Sequence, residues 1–418
     1  MRFFMILLCL SHGLITHADE LYESPVIGYE TKPPKNKIVD LQKALDTGEI
    51  NLEFDSTNGY LTSVLKQLDV PVESQTLVFS KTSFHRKLIN TQNPRALYFN
   101  DNVYVGWTPG AELLEIGVVD HDLGALFYTL KQRKKQTPII QRNDSCLSCH
   151  VSGRTSYEPG FMIRSIFPDA EGEPIAKAGS DTIDHTSPIE SRWGGWFVTS
   201  EETSLHRGNR TYRETQSFDL KPSSVMSLAD LKNFFNPKRY PATTSDIGAL
   251  IVLEHQVRMH NYFTQSHFQT IKALESEAAI NKALGETGRR PFTQKLINNA
   301  AEHILEYLLF IDEAPLNNIT ADPNFLAQFT KNKAVASNGD SLYNLKFNKR
   351  MSELPCSWLI YSDSFIGLHP TLKETLLKRL HTILTTPDLE EKYIHLRKTR
   401  MRIHKVLMDT LPAYKATL

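Results

Sequence analysis

The sequence predicts an α+β protein with an N-terminal β-rich part, a loop-rich middle segment and a C-terminal helical part. Apolar residues fall on alternate positions between 97 and 107, which is the period of a half-buried strand. Residues 141–244 are rich in Gly, Pro, Ser and Asp and contain few periodic stretches. After residue 244, apolar residues recur at helical spacing instead.

Length and composition restrict the class of protein. The chain has 418 residues, 47 Lys and Arg, and 47 Asp and Glu, so its formal charge is zero. That length suffices for two or three ordinary domains. A neutral balance argues against a nucleic-acid partner, since nucleic-acid-binding domains usually carry a basic excess. Four cysteines are too few for a disulfide scaffold of this size.

Residues 1–18 have the layout of a secretory signal peptide. Arg2 precedes an apolar run at 3–10, and small or polar residues lead to a predicted cleavage site after Ala18. The apolar run has about half the length of a membrane-spanning helix, and no later stretch approaches twenty residues. The sequence therefore predicts an exported, periplasmic protein without a membrane span. Cys9 would permit a lipoprotein signal, but Leu8 stands where a small residue is expected.

Residues 19–140 form the predicted N-terminal α/β region. Strands are expected within 95–130, where Asn100, Asp101 and Asn102 supply a turn between two alternating segments. The apolar stretches 113–119 and 125–130 continue this pattern.

The cysteines carry the clearest chemical signal. Two of the three that remain after export stand in Cys146-Leu147-Ser148-Cys149-His150, while Cys356 stands alone. Cys-x-x-Cys-His is the attachment signature of c-type haem. Two thioether bonds hold the porphyrin, and the histidine is an axial iron ligand. A thioredoxin-like pair would need a strand before it and a helix after it, and a zinc site would need a second Cys/His pair.

Together with longer strings elsewhere, this motif resembles a group of exported bacterial mono-haem c-type cytochromes of unassigned function. The strings are PRALYFNDNVYVGW (94–107), DHTSPIESRWGGWFVTS (184–200), SDIGALIVLEHQVRMHN (245–261) and DEAPL (312–316). The resemblance covers about residues 90–410. It implies one covalent haem c per chain, a cytochrome c-like haem segment at 141–244, and electron transfer with a redox partner protein. It implies no established substrate.

The second axial position of the iron decides between an electron carrier and a catalyst. The candidates are His260, His255, His206 and Met226, or no protein group at all. His255 and His260 are five residues apart on a predicted helix, so they lie about 140° apart around its axis. They are therefore poorly placed to bind the same metal ion.

A second candidate group is Arg192-Trp193-Gly194-Gly195-Trp196. Arg192 could pair with a haem propionate, Trp193 and Trp196 could pack on the ring, and the glycines could let the backbone approach it closely. The alternative is a tight turn with two core tryptophans.

Residues 245–418 form the predicted helical region. Ser245 and Asp246 are expected to cap a helix that runs to about residue 274. Further helices are expected over 292–311, 371–386 and 389–411.

The leading functional hypothesis is an exported cytochrome that transfers single electrons. The alternatives are a haem-dependent oxidoreductase or peroxidase with an open distal site, and a haem-based sensor or binding protein. The sequence leaves open whether the protein is an enzyme, and also its oligomeric state.

Overall fold

The computed structural model describes residues 21–135, 137–200, 206–215, 218, 228–317 and 319–417. The predicted signal peptide with its cleavage site at Ala18, and the ligand candidate Met226, lie outside the described residues.

A seven-stranded antiparallel sheet carries the N-terminal half of the chain, with strand order β6-β5-β4-β3-β2-β1-β9. A two-stranded sheet pairs β7 with β8. The strands are β1 (Thr76–Val78), β2 (Arg95–Phe99), β3 (Val103–Trp107), β4 (Leu113–Asp120), β5 (Gly124–Lys131), β6 (Ile140–Arg142), β7 (Arg164–Ile166), β8 (Ser180–Thr182) and β9 (Trp196–Phe197). The α+β prediction and the strands predicted within 95–130 are confirmed.

The turn between β2 and β3 forms as its residue types indicate. The Asn100 side-chain oxygen accepts hydrogen bonds from the backbone N–H groups of Asn102 and Val103. Asparagine commonly stabilises turns in this way. The turn sets the register in which Phe99 pairs with Tyr104.

The helices make up most of the C-terminal half. They are α1 (Lys37–Asp46), α2 (Leu61–Gln67), α3 (Leu147–His150), α4 (Leu228–Leu231), α5 (Ile247–Leu284), α6 (Pro291–Leu308), α7 (Pro323–Thr330), α8 (Asp363–Ile366), α9 (Pro370–Thr385), α10 (Arg400–Thr410) and α11 (Pro412–Lys415). Short 3₁₀ helices cover Leu21–Glu23, Val72–Ser74, Asp144–Cys146, Gly153–Thr155, Ala176–Ala178, Ile189–Ser191, Pro237–Arg239, Trp358–Tyr361 and Glu391–Leu396.

Helix α5 begins at the predicted cap, because the Asp246 carboxylate accepts a hydrogen bond from the N–H of Ala249. It continues beyond the expected end near residue 274 to Leu284. Gly285 then adopts a left-handed conformation with φ +66° and closes the helix. The helices expected at 292–311 and 371–386 are present as α6 and α9.

The single helix predicted over 389–411 is wrong in its first half. The chain instead forms the 3₁₀ segment Glu391–Leu396 before α10. Contacts of this segment with α6 and with the residue that follows α6 explain why it is not α-helical. The Tyr393 hydroxyl donates to Glu302, and His395 Nε2 donates to the carbonyl of Leu309. Tertiary contacts here override the helical spacing of the apolar residues.

The large sheet is buried on both faces. Val103 and Val105 pack with α1 and α2, whereas Tyr104 between them packs with α5 and the C-terminal helices. This is the alternation of side chains expected along a strand.

Strand β9 joins the loop-rich middle segment to this sheet, since Trp196 and Phe197 pair with β1. The domain boundaries near 140 and 244 stay predictions. Across the described ranges, no helix is long and apolar enough to cross a membrane.

Candidate functional site

Cys146, Cys149 and His150 lie along one face of a short helical turn. Cys146 ends the 3₁₀ helix Asp144–Cys146, and α3 follows directly. Residues three and four positions apart share a helix face, so the 146, 149 and 150 spacing directs all three side chains to the same side. Cys146 is half-buried and Cys149 is exposed, and both are free thiols. The arrangement suits attachment of one planar group at two points.

One ring nitrogen of His150, Nδ1, forms a hydrogen bond within the chain. Its Nδ1 lies 2.7 Å from the carbonyl oxygen of Gly160. A carbonyl can only accept, so Nδ1 carries the proton and Nε2 holds the lone pair. Within the part of the chain that the structure describes, Nε2 forms no hydrogen bond. Burial lowers the pKa of His150, which favours the neutral ring that a metal requires.

The side chain of Asn261 on α5 forms hydrogen bonds with the loop that follows His150. The Asn261 side-chain oxygen accepts from the N–H of Phe161 at 2.9 Å, and its Nδ2 donates to the Phe161 carbonyl at 2.7 Å. The N–H of Gly160 also donates to the carbonyl of His150 at 3.0 Å. A Cβ on Gly160 would stand 2.6 Å from the Asn261 oxygen, so glycine is required there. The carbonyl that orients His150 is thereby held in place.

Aromatic rings support His150 from the sheet side. The Phe127 ring on β5 lies 4.4 Å from the His150 ring, centroid to centroid. Phe161 lies 5.6 Å from Phe127, and Tyr104 lies 4.6 Å from Phe161. These packed rings limit the rotation of the imidazole.

Two arginines converge beside the cysteines. Arg154 and Arg164 both donate to the hydroxyl of Ser180, at 3.2 and 3.0 Å. Neither forms an ion pair with a carboxylate in the described ranges. Burial lowers the pKa of Arg164, and the charge of Arg154 lowers it further, while Cys149 acts on it in the opposite direction. Two guanidinium groups without an ion-pair partner in the described residues are suited to binding carboxylates.

Cys146 is not placed as a nucleophile. Burial raises the pKa of its thiol to about 11, and the charge of Glu115 acts in the same direction. At neutral pH the thiol is therefore protonated, whereas nucleophilic cysteines have a lowered pKa.

Arg192 lies in the buried interior, where it pairs with Glu254 on α5. Its Nε and Nη2 also donate to the carbonyl of Ser187, at 2.8 and 2.6 Å. The indole N–H of Trp193 donates to the second Glu254 oxygen at 3.2 Å. Arg192 and Trp193, which are neighbours in the chain, thus share Glu254 on α5 as their acceptor. The role of Arg192 and Trp193 in lining a haem stays a prediction.

Trp196 lies in β9, and its indole N–H donates to the carbonyl of Arg164 at 2.9 Å. The two preceding glycines do allow a close backbone approach, but the neighbour is strand β7. A Cβ on Gly194 would collide with the carbonyl of Ile166. The segment thus forms a tight turn, and both tryptophans are buried. The role of Trp196 in lining a haem stays a prediction.

His255 and His260 each have both ring nitrogens engaged. His255 Nδ1 lies 2.7 Å from His185 Nδ1, and its Nε2 lies 2.8 Å from the Ser357 hydroxyl. His260 Nδ1 lies 2.8 Å from the Ser364 hydroxyl, and its Nε2 donates to the carbonyl of Asp101 at 2.9 Å. Either ring would have to give up one of these hydrogen bonds before it could bind iron.

His206 is buried, and its ring is inclined at 71° to that of Trp193, at a centroid distance of 5.3 Å. Among the residues that the structure describes, no three His, Cys, Asp or Glu side chains form a group that could hold a metal ion. The axial roles of His206, His255 and His260 stay predictions.

Sequence reasoning missed the residues that support His150, which are Gly160, Asn261 and Phe127. It also missed the two arginines near Cys149, Arg154 and Arg164. Gly160 and Asn261 have no motif of their own. Asn261 stands in a string already noted for its resemblance, but nothing in that string indicates that its side chain holds a loop 100 positions away.

No family model matches the sequence, and neither a curated protein nor a solved structure matches the chain. The resemblance to exported mono-haem cytochromes stays a prediction.

Proposed function

We propose that this protein is an exported, periplasmic c-type cytochrome that transfers single electrons to a redox partner protein. Cys146 and Cys149 would hold one haem covalently, and His150 would be an axial ligand. The haem, when bound, supplies a one-electron iron couple. A predicted signal peptide supports export, because covalent attachment of this group takes place outside the cytoplasm.

One observation carries the proposal. The hydrogen bond from His150 Nδ1 to the Gly160 carbonyl leaves Nε2 as the ring nitrogen with the lone pair. Metal-ligating histidines usually donate their other N–H to a carbonyl or carboxylate, which fixes both tautomer and ring orientation. Asn261 and Phe127 hold this arrangement from two sides.

The test is expression of the full-length protein with haem-attachment machinery in a bacterial periplasm. We expect a Soret band, a c-type pyridine haemochrome spectrum and a mass increase of one haem per chain. The Cys146→Ser, Cys149→Ser double variant should lose covalent haem, whereas Cys356→Ala, which changes only the buried third thiol, should retain it. The proposal would be contradicted if the wild-type protein carried no haem in cells that attach haem to a known cytochrome c.

A haem enzyme or sensor with an open distal position is the second candidate. It is favoured by the engaged ring nitrogens of His255 and His260. Carbon monoxide distinguishes the two functions. Rapid binding to the reduced protein supports an open position, and absence of binding supports a six-coordinate electron carrier.

A further inference from the structure

A cleft of about 500 Å³ opens between the N-terminal part of the chain and the helical part. Its walls come from the end of α2, the turn after β2, the middle of α5, and α7 with the loop that follows it. None of its lining residues belongs to the Cys146-to-His150 segment. Pockets for small organic ligands have volumes of roughly 300–1,000 Å³, so the cleft has the size of such a site.

The apolar wall of the cleft is aromatic. Phe99, Phe325 and Phe329 line it. The ring centroids of Phe99 and Phe325 are 6.3 Å apart, and those of Phe325 and Phe329 are 5.8 Å apart. Aromatic side chains favour stacked or edge-to-face contacts with another ring. This wall therefore suits a flat, ring-containing ligand.

Gln256 provides a buried polar group among the lining residues. Its Nε2 donates to the Asn100 carbonyl at 2.7 Å and to the Tyr104 hydroxyl at 2.9 Å. The carbonyl can only accept, which settles the orientation of the amide. The remaining oxygen, Oε1, is shielded from solvent and has no hydrogen-bond partner in the described residues. A buried acceptor without a donor is unfavourable, and a ligand hydroxyl could supply that donor.

The mouth of the cleft carries unpaired positive charge. Lys66 and Lys331 are exposed, and neither forms an ion pair in the described ranges. Lys333 is already paired, with its Nζ 2.5 Å from Asp101. Asp69 is the other acidic residue of the lining, so the cleft has a small excess of positive charge. A monoanionic ligand matches this balance.

We propose that this cleft binds a small aromatic carboxylate that carries a hydroxyl group. The ring lies against the three phenylalanines, the carboxylate lies between Lys66 and Lys331, and the hydroxyl donates to Gln256 Oε1. The proposal requires no haem, so it can be tested independently of the proposed cytochrome function.

Isothermal titration of the full-length protein with three related probes tests the site without altering the fold. The probes are 4-hydroxybenzoate, benzoate, which lacks the hydroxyl, and phenol, which lacks the carboxylate. We expect 4-hydroxybenzoate to bind at least about tenfold more tightly than either truncated probe, since each lacks one polar contact. Equal affinity for all three, or no binding of any at millimolar concentration, would overturn the proposal.

Charge variants place the binding in this cleft. Lys66→Gln with Lys331→Gln should weaken binding of 4-hydroxybenzoate about tenfold or more and leave phenol binding unchanged. The matched control replaces Lys282 and Lys295, which are exposed on α5 and α6, away from the cleft. If the control pair weakens binding as much as the cleft pair, the proposed location is wrong.

Discussion

His150 and His260 lie on either side of the same aromatic group but in opposite chemical situations. Phe161 is 6.5 Å from the His260 ring and 5.6 Å from Phe127, which in turn contacts His150. His260 lies on a long helix, is 1% exposed and has a partner for each ring nitrogen. His150 lies on a short turn, is half-buried and, among the described residues, has a hydrogen-bond partner for Nδ1 alone.

The difference shows what makes a histidine available to a metal. Burial and an aromatic environment are common to both residues, so neither distinguishes them. The hydrogen-bond partners do, because a ring with both nitrogens bonded within the chain must break a bond before it can ligate. The helix position of His255 and His260 is visible in the sequence, whereas their hydrogen-bond partners are not. Their role as iron ligands stays a prediction.

The largest expected effect separates the two histidines directly. His150→Ala should remove the axial ligand and shift the Soret and visible bands of the attached haem. His260→Gln, which can still donate to the Asp101 carbonyl, should leave the spectrum unchanged. Optical spectra of both oxidation states provide the measurement. A His260→Gln spectrum as altered as that of His150→Ala would show that the two residues are both ligands.

The second-largest effect is expected when the two hydrogen bonds between Asn261 and the Phe161 backbone are removed. Asn261→Leu leaves the N–H and the carbonyl of Phe161 without partners, at a cost of about 1–3 kcal/mol for each buried group. The free energy of unfolding in urea should fall accordingly. The yield of attached haem should fall with it, since the Gly160 carbonyl loses its support. Asn299→Leu, at an exposed position of α6, is the matched control and should change neither quantity.

Acid should destabilise the protein through its buried histidines. Burial lowers the pKa of His260 to about 3, while an unfolded histidine has a pKa of about 6.5. The unfolded chain therefore binds more protons below pH 6.5, and stability falls as the pH falls through that window. At pH 5 the loss for this one residue is about 2 kcal/mol.

His260→Gln tests this origin, because glutamine does not titrate. The variant should lose less stability than the wild type between pH 7 and pH 5, as measured by urea unfolding at each pH. Equal losses in the two proteins would mean that His260 does not contribute to the acid sensitivity.

The smallest effect concerns the two arginines beside Cys149. Positive charge favours the reduced iron, so Arg154→Gln with Arg164→Gln should lower the midpoint potential of the haem. The shift should stay below about 60 mV, which corresponds to a tenfold change in a one-electron equilibrium. A redox titration measures it, with Arg289→Gln in the helical region as a control. A raised potential would contradict the assignment of these charges to the haem surroundings.

Local features of this fold could be predicted from the sequence, and long-range ones could not. The strands from 95 to 131, the Asp246 cap and the Cys-x-x-Cys-His turn depend on neighbouring residues, whose pattern is visible in the chain. His255 and His260 instead take partners 102 and 104 positions away. No local pattern reports such contacts, so the sequence could identify the Cys-x-x-Cys-His motif but not the residues that support its histidine.

The region 192–196 illustrates the same limit. Its two tryptophans and its arginine are typical of both a ligand wall and a core turn. The choice depends on Glu254, 62 positions away, which pairs with Arg192. Only the packing of this segment against α5 reveals that partner.

Helix α5 brings three regions into a single rigid frame. Glu254 pairs with Arg192, Gln256 lines the cleft, and Asn261 holds the loop of His150. Asn261 stands seven positions after Glu254, which corresponds to a rise of about 10 Å along the helix. Inserting one residue before Glu254 would rotate all three by about 100°. The Arg192–Glu254 ion pair, the cleft and the Asn261–Phe161 hydrogen bonds therefore all depend on the same helical register. An insertion or deletion in α5 before Glu254 would displace all three together.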